Sequence, residues 1–215
     1  MKTFRLTEFP DSYVSAVSST IDLFGKGDLI IGPTETAYGL LADAMNSEAI
    51  EKLFAVKNRT FDKPCSIFIK SAEELSIYAY VSNTAALQAI NSLWPGPVTF
   101  ILKSRVDHWQ GVVSKDKKIG FRCSSHPFIK TLINTVNVPL TATSANLSGE
   151  EVDSVEDIEK SLGEFVEYMV IDPELDFACR PSTVVDLSDG KLDIVREGKI
   201  GGEIIRKQFE NVKID

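Results

Sequence analysis

The sequence predicts an α/β fold: a mixed sheet with helices packed on it, in one domain over residues 1–215. Three observations predict it. Short apolar runs are bounded by Gly, Pro and Asn. Amphipathic stretches of helical length separate many of them. Towards the C-terminal end several strand-like runs follow one another with no helix between, which makes the sheet mixed rather than purely parallel.

The elements follow in order. Asp28–Ile31 reads as a buried strand, ended by Gly32-Pro33. In residues 47–56, Ile50, Leu53 and Phe54 share a helical face, with Ser47 as the cap. Cys65–Ile69 is a strand, and Ser71-Ala72-Glu73-Glu74 has the capping-box pattern of a second helix. Residues 84–93 form a third helix that stops at Trp94-Pro95-Gly96-Pro97. Val98–Leu102 and Ile119–Cys123 are strands. Residues 127–136 form a helix with proline at its first position, and His126 before it has a plain capping or surface role. Leu140–Thr143 is a short strand. Ser154 opens a helix that Gly163 closes. Tyr168–Ile171, Thr183–Leu187 and Leu192–Val195 are strands, and Glu203–Phe209 is a last helix.

Composition excludes several classes. Apolar residues make 43% and charged residues 25%, ordinary for a globular chain. No apolar run approaches the roughly 18 residues of a membrane span. The N-terminal stretch, with Glu8 and Asp11 soon after Met1, lacks the apolar core of a signal peptide, so the expected location is the cytoplasm. Cys65, Cys123 and Cys179 stand far apart, as reduced thiols do, and two histidines without a cysteine pair do not make a zinc site. A net charge of -8 argues against strong autonomous binding of nucleic acid.

No GxxxxGK[ST] loop, GxGxxG, GxSxG or HExxH pattern is present. Four segments could instead carry chemistry. Lys57-Asn58-Arg59-Thr60-Phe61-Asp62-Lys63 places three cations where a helix gives way to a strand, suited to the about three to four charges of a triphosphate or simply to a solvated loop. Gly32-Pro33-Thr34-Glu35-Thr36-Ala37-Tyr38-Gly39 follows a buried strand, where α/β sheets place their sites, and reads equally as a turn with an aromatic anchor. Thr141-Ala142-Thr143-Ser144-Ala145-Asn146-Leu147-Ser148-Gly149 brings small polar groups to a strand end, as binding loops and ordinary turns both do. Arg180-Pro181-Ser182-Thr183 joins Arg196 and the apolar-flanked Arg122. A buried arginine needs a carboxylate of the protein or an anion of a ligand, and internal pairing is the more frequent case.

Together these segments resemble the YrdC/TsaC family over nearly the whole chain. Pro33-Thr34-Glu35-Thr36-Ala37-Tyr38-Gly39-Leu40 is similar to its PTETxYGL signature, Lys57-Asn58-Arg59 to KxR, and Trp94-Pro95-Gly96-Pro97-Val98-Thr99 to WPGPxT. Ser144-Ala145-Asn146-Leu147-Ser148-Gly149 is similar to SANxSG, and Ser182-Thr183-Val184-Val185-Asp186 to STVVD. The resemblance implies a twisted, open mixed sheet in the YrdC-like (DHBP-synthase-like) fold with a central cavity, in its single-domain form. It also implies synthesis of threonylcarbamoyl-AMP and pyrophosphate from L-threonine, bicarbonate and ATP, for threonylcarbamoyladenosine modification of tRNA, with a separate TsaD-type partner making the transfer.

On that resemblance Lys57 and Arg59 are the catalytic residues and, with Lys63, neutralise ATP phosphates. Ser144 and Asn146 are neutral phosphate contacts, and Arg196 lies on the nucleotide side. Thr36, Arg122 and Ser182 hold L-threonine, with Arg122 on its carboxylate. No protein side chain is a metal ligand; Mg²⁺ bridges the phosphates and keeps several waters. The chain departs from the family at Thr60, Cys65, Phe68, Ser124 and Glu197, of which Phe68 bears most on amino-acid recognition. Two other readings stand beside this one: a diverged YciO-type paralogue, and a non-catalytic RNA-binding or ribosome-assembly module, against which the acidic charge counts.

Overall fold

In the computed structural model, residues 1–7, 10–147, 150, 152–178 and 180–214 are described. Ser148 and Gly149 of the SANxSG-like segment, Glu8 and Cys179 lie outside them. The elements are β1 (Lys2–Arg5), α1 (Asp11–Ser18), α2 (Ile21–Gly25), β2 (Ile30–Pro33), β3 (Tyr38–Leu41), α3 (Ser47–Val56) and β4 (Ser66–Phe68). A 3-10 turn, Ala72–Glu74, runs into α4 (Leu75–Tyr78), followed by β5 (Ala79–Tyr80), α5 (Thr84–Leu93), β6 (Val98–Ser104) and β7 (Lys118–Arg122). Then come α6 (Pro127–Val136), β8 (Leu140–Ser144), α7 (Val155–Leu162), β9 (Tyr168–Ile171), β10 (Thr183–Asp186), β11 (Asp193–Arg196) and α8 (Gly202–Gln208).

The strands join in the order β1-β9-β2-β3-β8-β4-β7-β6-β10-β11, with β5 beside β6. β1 with β9, β2 with β9, β4 with β7 and β6 with β10 are parallel; the other pairs are antiparallel, so the sheet is mixed as expected. Period-two alternation builds two apolar layers. Ile31, Leu40, Ile67 and Met169 enter the layer shared with α3, α5 and α8. Their chain neighbours Ile30, Leu41, Phe68 and Val170 enter the other, with α1 and α6. No helix among the described residues is long and apolar enough to cross a membrane.

Helix α6 shows how sequence sets position. Pro127 starts it, His126 Nδ1 accepts from Phe128 N at 3.1 Å, and Asn137 ends it at φ 59°. His126 is therefore a buried cap rather than a surface group. Phe128, Ile129, Leu132 and Ile133 are buried, each contributing about 2 kcal/mol of apolar transfer. The helix sits close on β2 because Gly32 has no side chain: a Cβ there would lie 2.4 Å from the Phe128 ring.

Several local expectations are corrected. The first buried strand begins at Ile30, not Asp28, because the pairing continues to Pro33 opposite Tyr38. Asn46 caps α3, accepting from Glu48 N and Ala49 N at 3.0 and 3.2 Å, and Ser47 is already helical. Ser71 makes no capping bond; Glu74 instead accepts from Lys70 N at 3.0 Å, and the chain winds first into a 3-10 turn. Tyr38–Leu41 is a strand rather than a turn.

Candidate functional site

The hairpin between β2 and β3 is closed by Thr34. Its Oγ1 donates to Ala37 O at 2.6 Å and accepts from the Thr36 and Ala37 N–H groups at 3.2 Å each. That single proton is then spent, so Thr36 must be the donor in the 3.1 Å contact between the two hydroxyls. Thr36 Oγ1 also accepts from Arg122 Nη2 at 2.8 Å. What Thr36 has left to offer a ligand is a lone pair.

Arg122 ends β7 and is 6% exposed. Glu35 Oε1 accepts from its Nε at 3.2 Å and forms an ion pair with its Nη2 at 2.8 Å. The guanidinium lies over the Phe68 ring, 5.5 Å from its centroid. Ser124 Oγ donates to the second oxygen of Glu35. Burial alone would raise the Glu35 pKa, but the charge of Arg122 and these hydrogen bonds outweigh it and hold the carboxyl below its usual value. Among the described residues Arg122 Nη1 has no partner, so one nitrogen of the fork stays free for an anion. Lys199 Nζ reaches across to the carbonyl of Glu35 at 2.9 Å and ties β11's following loop to this turn.

Ser182, just before β10, is 6% exposed. Its Oγ stands 3.0 Å from Thr99 Oγ1 of β6. Arg196, at the end of β11, donates to Ser182 O through Nη2 and Nε at 2.9 and 3.2 Å, and to Ser182 Oγ at 3.2 Å. Gly198 allows this close passage, since a Cβ there would meet Pro181 O at 2.2 Å. Burial, then the neighbouring charge of Arg122, lowers the Arg196 pKa, so the two guanidiniums sense each other.

On the opposite wall α3 ends at Val56. Asn58 adopts φ 47°, and Arg59 N donates to Phe54 O at 2.9 Å, which closes the helix. This left-handed residue separates the directions of its two neighbours. Arg59 turns along the loop, donating to Lys63 O and to Pro64 O at 2.6 Å, with its guanidinium over Phe54. Lys57 turns inward to β8 and donates to Ser144 O, Asn146 O and Asn146 Oδ1 at 2.6, 2.7 and 3.2 Å. Burial, then Arg59's charge, brings the Lys57 pKa down to about 8. The three acceptors favour the ammonium and work against that shift.

These walls enclose a cleft of about 300 Å³. Thr36, Arg59, Arg122, Ser144, Ser182 and Arg196 line it, so six of the sequence-derived site residues meet there. Lys57 and Asn146 stand one layer behind Ser144, and Lys63 is exposed on the loop that holds Arg59. No Asp or Glu is among the lining residues, which leaves the cleft cationic in an acidic chain. Thr34, Phe68, Thr99 and Thr143 also line it. Glu35, Ser124, Thr99 and Lys199 were not singled out from the sequence as site residues. The one signal for Glu35 was a buried Arg122 in want of a carboxylate. Tyr38 lines the cleft with its ring, while its hydroxyl is engaged by the main chain of Asp172 at 3.1 Å. Cys65 lies in the wall with its thiol on Gly111 O at 3.3 Å, and burial raises its pKa to about 11, so it is not a nucleophile near neutrality.

Comparison with known proteins gives a consistent set of relatives. Residues 22–198 match the family model Sua5/YciO/YrdC, described as "Telomere recombination". A relative from Methanocaldococcus jannaschii, named provisionally as a threonylcarbamoyl-AMP synthase, is 38% identical over 176 residues, covering 81% of this chain and 82% of its own. The threonylcarbamoyl-AMP synthase of Vibrio vulnificus is 30% identical over 188 residues, 86% of this chain and 100% of the relative. Among solved structures, P. abyssi Sua5 complexed with L-threonine superposes with a TM-score of 0.83 at 26% identity. All of this chain is covered there, and it spans 62% of the length of that protein. E. coli YciO superposes with a TM-score of 0.80 at 25% identity, covering 97% of this chain and 98% of its own. The matched family model spans most of the chain and both superpositions extend over nearly all of it; the chain belongs to the Sua5/YciO/YrdC family.

Proposed function

We propose that this chain is an L-threonylcarbamoyladenylate synthase, a nucleotidyltransferase that joins L-threonine, bicarbonate and ATP into threonylcarbamoyl-AMP with release of pyrophosphate. One observation carries the reading: a single cleft opposes an arginine with a free Nη1, Arg122, to a wall holding Arg59 and Ser144. The first end suits an amino-acid carboxylate, and the second suits a phosphate chain. The names of the relatives, and the threonine complex of P. abyssi Sua5, point the same way.

On this reading Arg122 takes the carboxylate of threonine, Thr36 accepts a hydrogen bond from its ammonium or hydroxyl, and Ser182 borders the same end. The ammonium first loses a proton to solvent; the amine then adds to the carbon of CO2 with loss of a second proton, or to bicarbonate with expulsion of water, and a carbamate forms. A carbamate oxygen then attacks the α-phosphorus, and the bond to the pyrophosphate oxygen breaks. No protein nucleophile is needed; positioning and charge neutralisation do the work. Arg59 and Arg196 supply positive charge at the rim, and Lys63 lies within reach of a longer phosphate chain.

Magnesium would arrive with the nucleotide. Among the described residues no three His, Cys, Asp or Glu side chains converge to hold an ion, and Glu35 is engaged by Arg122 and Ser124. Ser144 Oγ gives its proton to Asn146 Oδ1, so its lone pairs face outward. They fit water molecules carried by a phosphate-bound ion. That ion would offset phosphate charge. The product would be passed to a TsaD-type transferase, in the cytoplasm, for tRNA modification.

Pyrophosphate release from ATP, Mg²⁺ and bicarbonate, with and without L-threonine and with L-serine as comparison, tests the proposal. Threonine-dependent release is expected. Ser182→Ala should raise KM for threonine about tenfold, equivalent to about 1.4 kcal/mol, and leave KM for ATP within about twofold. No release with either amino acid, from folded protein that binds ATP, would move the chain to a YciO-type paralogue.

A further inference from the structure

The lysine of the Lys57-Asn58-Arg59 segment does not face the cleft. It is 2% exposed, and Ser144 stands between it and the open space. An ammonium has three N–H donors. All three are engaged by the strand end and turn of β8: Ser144 O at 2.6 Å, Asn146 O at 2.7 Å and Asn146 Oδ1 at 3.2 Å. Touching a phosphate would require breaking one of these charge-assisted bonds, which are part-buried.

The turn is organised around that charge. Asn146 Oδ1 also accepts from Ser144 Oγ, and its amide donates to Glu150 O. Ala145 N is anchored on Tyr38 O at 2.9 Å. Among the described residues the N–H groups of Asn146 and Leu147 have no partner. In a trans peptide the N–H points opposite to the carbonyl before it. With Asn146 O drawn onto Lys57, the Leu147 N–H is therefore turned away from the lysine, free to donate to an anion.

We infer that Lys57 is a positioning residue: it shapes the Ser144–Leu147 turn from behind, and its charge reaches a nucleotide phosphate through the turn's hydroxyl and peptide dipoles instead of by contact. This deepens the proposed ATP site and reassigns one of the two lysines, Lys57 and Lys63, that the family resemblance places on the phosphates. Arg59, which lines the cleft and has N–H groups to spare, is the cation of this segment that meets the ligand.

The test begins without any substrate. Exchange of the Ala145 amide, which is held on Tyr38 O, is measured in the ligand-free protein, comparing wild type with Lys57→Met. A positioning role predicts at least about tenfold faster exchange there, with the rest of β3 and β8 unchanged, before nucleotide is added. A direct phosphate contact predicts no change. ATP affinity is then measured for Lys57→Met, Ser144→Ala and the double variant. If Lys57 acts through the turn, the double variant binds within about twofold of Lys57→Met alone; losses that multiply would overturn the inference. If Lys57→Met does not fold, Lys57→Gln decides, since its amide retains two donors. Intermediate exchange supports the role, and wild-type exchange with lowered ATP affinity sinks it. The exchange arm needs no turnover, so it stands or falls separately from the assigned reaction.

Discussion

At the scale of single residues, the Arg122 end of the cleft depends on one buried ion pair. Glu35 and Arg122 have side chains 12% and 8% exposed, so neither is paired with water when the other is lost. Glu35→Gln is expected to destabilise the protein by about 3 kcal/mol at pH 7. The sign with pH follows from the depressed pKa of Glu35. Its contribution is fully present above the ordinary carboxylate value of about 4.3 and is lost as pH falls through the lower folded value. Denaturant unfolding from pH 7 to pH 2 should therefore show a steeper acid loss in wild type than in Glu35→Gln. Equal acid slopes would mean that the pair contributes nothing.

At the scale of elements, the KxR spacing works through Asn58. Its φ of 47° is left-handed, which Asn and Gly tolerate and β-branched residues do not. Asn58→Gly should leave stability within a few tenths of a kcal/mol, whereas Asn58→Val should cost about 1–2 kcal/mol and misdirect Lys57 and Arg59 together. Thermal unfolding with ATP binding on both variants checks this; an undisturbed Asn58→Val protein would show that the conformation does not matter. The same element explains what sequence could and could not show. Helices α5, α6 and α7 were legible to the residue or nearly so because Pro127, Ser154 and the stop at Trp94-Pro95 are local signals. The three cations of residues 57–63 were legible as a cluster. Their separate destinations were not, because Lys57 is committed to acceptors 87 and 89 positions away. Strands β1 and β3 were missed for different reasons. β1 is a largely exposed edge without alternation, and β3 lies inside a motif that reads as a glycine-bounded turn.

At the scale of the whole molecule, charge is partitioned. The chain is -8 overall, yet Arg59, Arg122 and Arg196 line a cleft without a lining carboxylate. Such a cavity attracts a small anion at short range, while the outer surface repels a polyanion. The protein alone should show no retention of tRNA in a mobility shift at about 150 mM salt, a condition near physiological screening. Retention that persisted there would favour the RNA-binding alternative. The fold class was legible at this scale from alternation and spacing. The strand order was not, since β3, β8, β4 and β7 become neighbours only through connections that no local pattern encodes.

The tie from Lys199 to the carbonyl of Glu35 joins positions 164 residues apart, and Arg122 meets Glu35 and Thr36 across 87 and 86. Contacts of such separation form late in folding, after the loops between them have closed. During synthesis Glu35 and Thr36 emerge long before Ser182 and Lys199, with which they share the cleft and its tie. A chain cut before Ser182 would keep Thr36 and Arg122 but lose the wall of Ser182 and Arg196 and the Lys199 tie, leaving half of the cleft's lining.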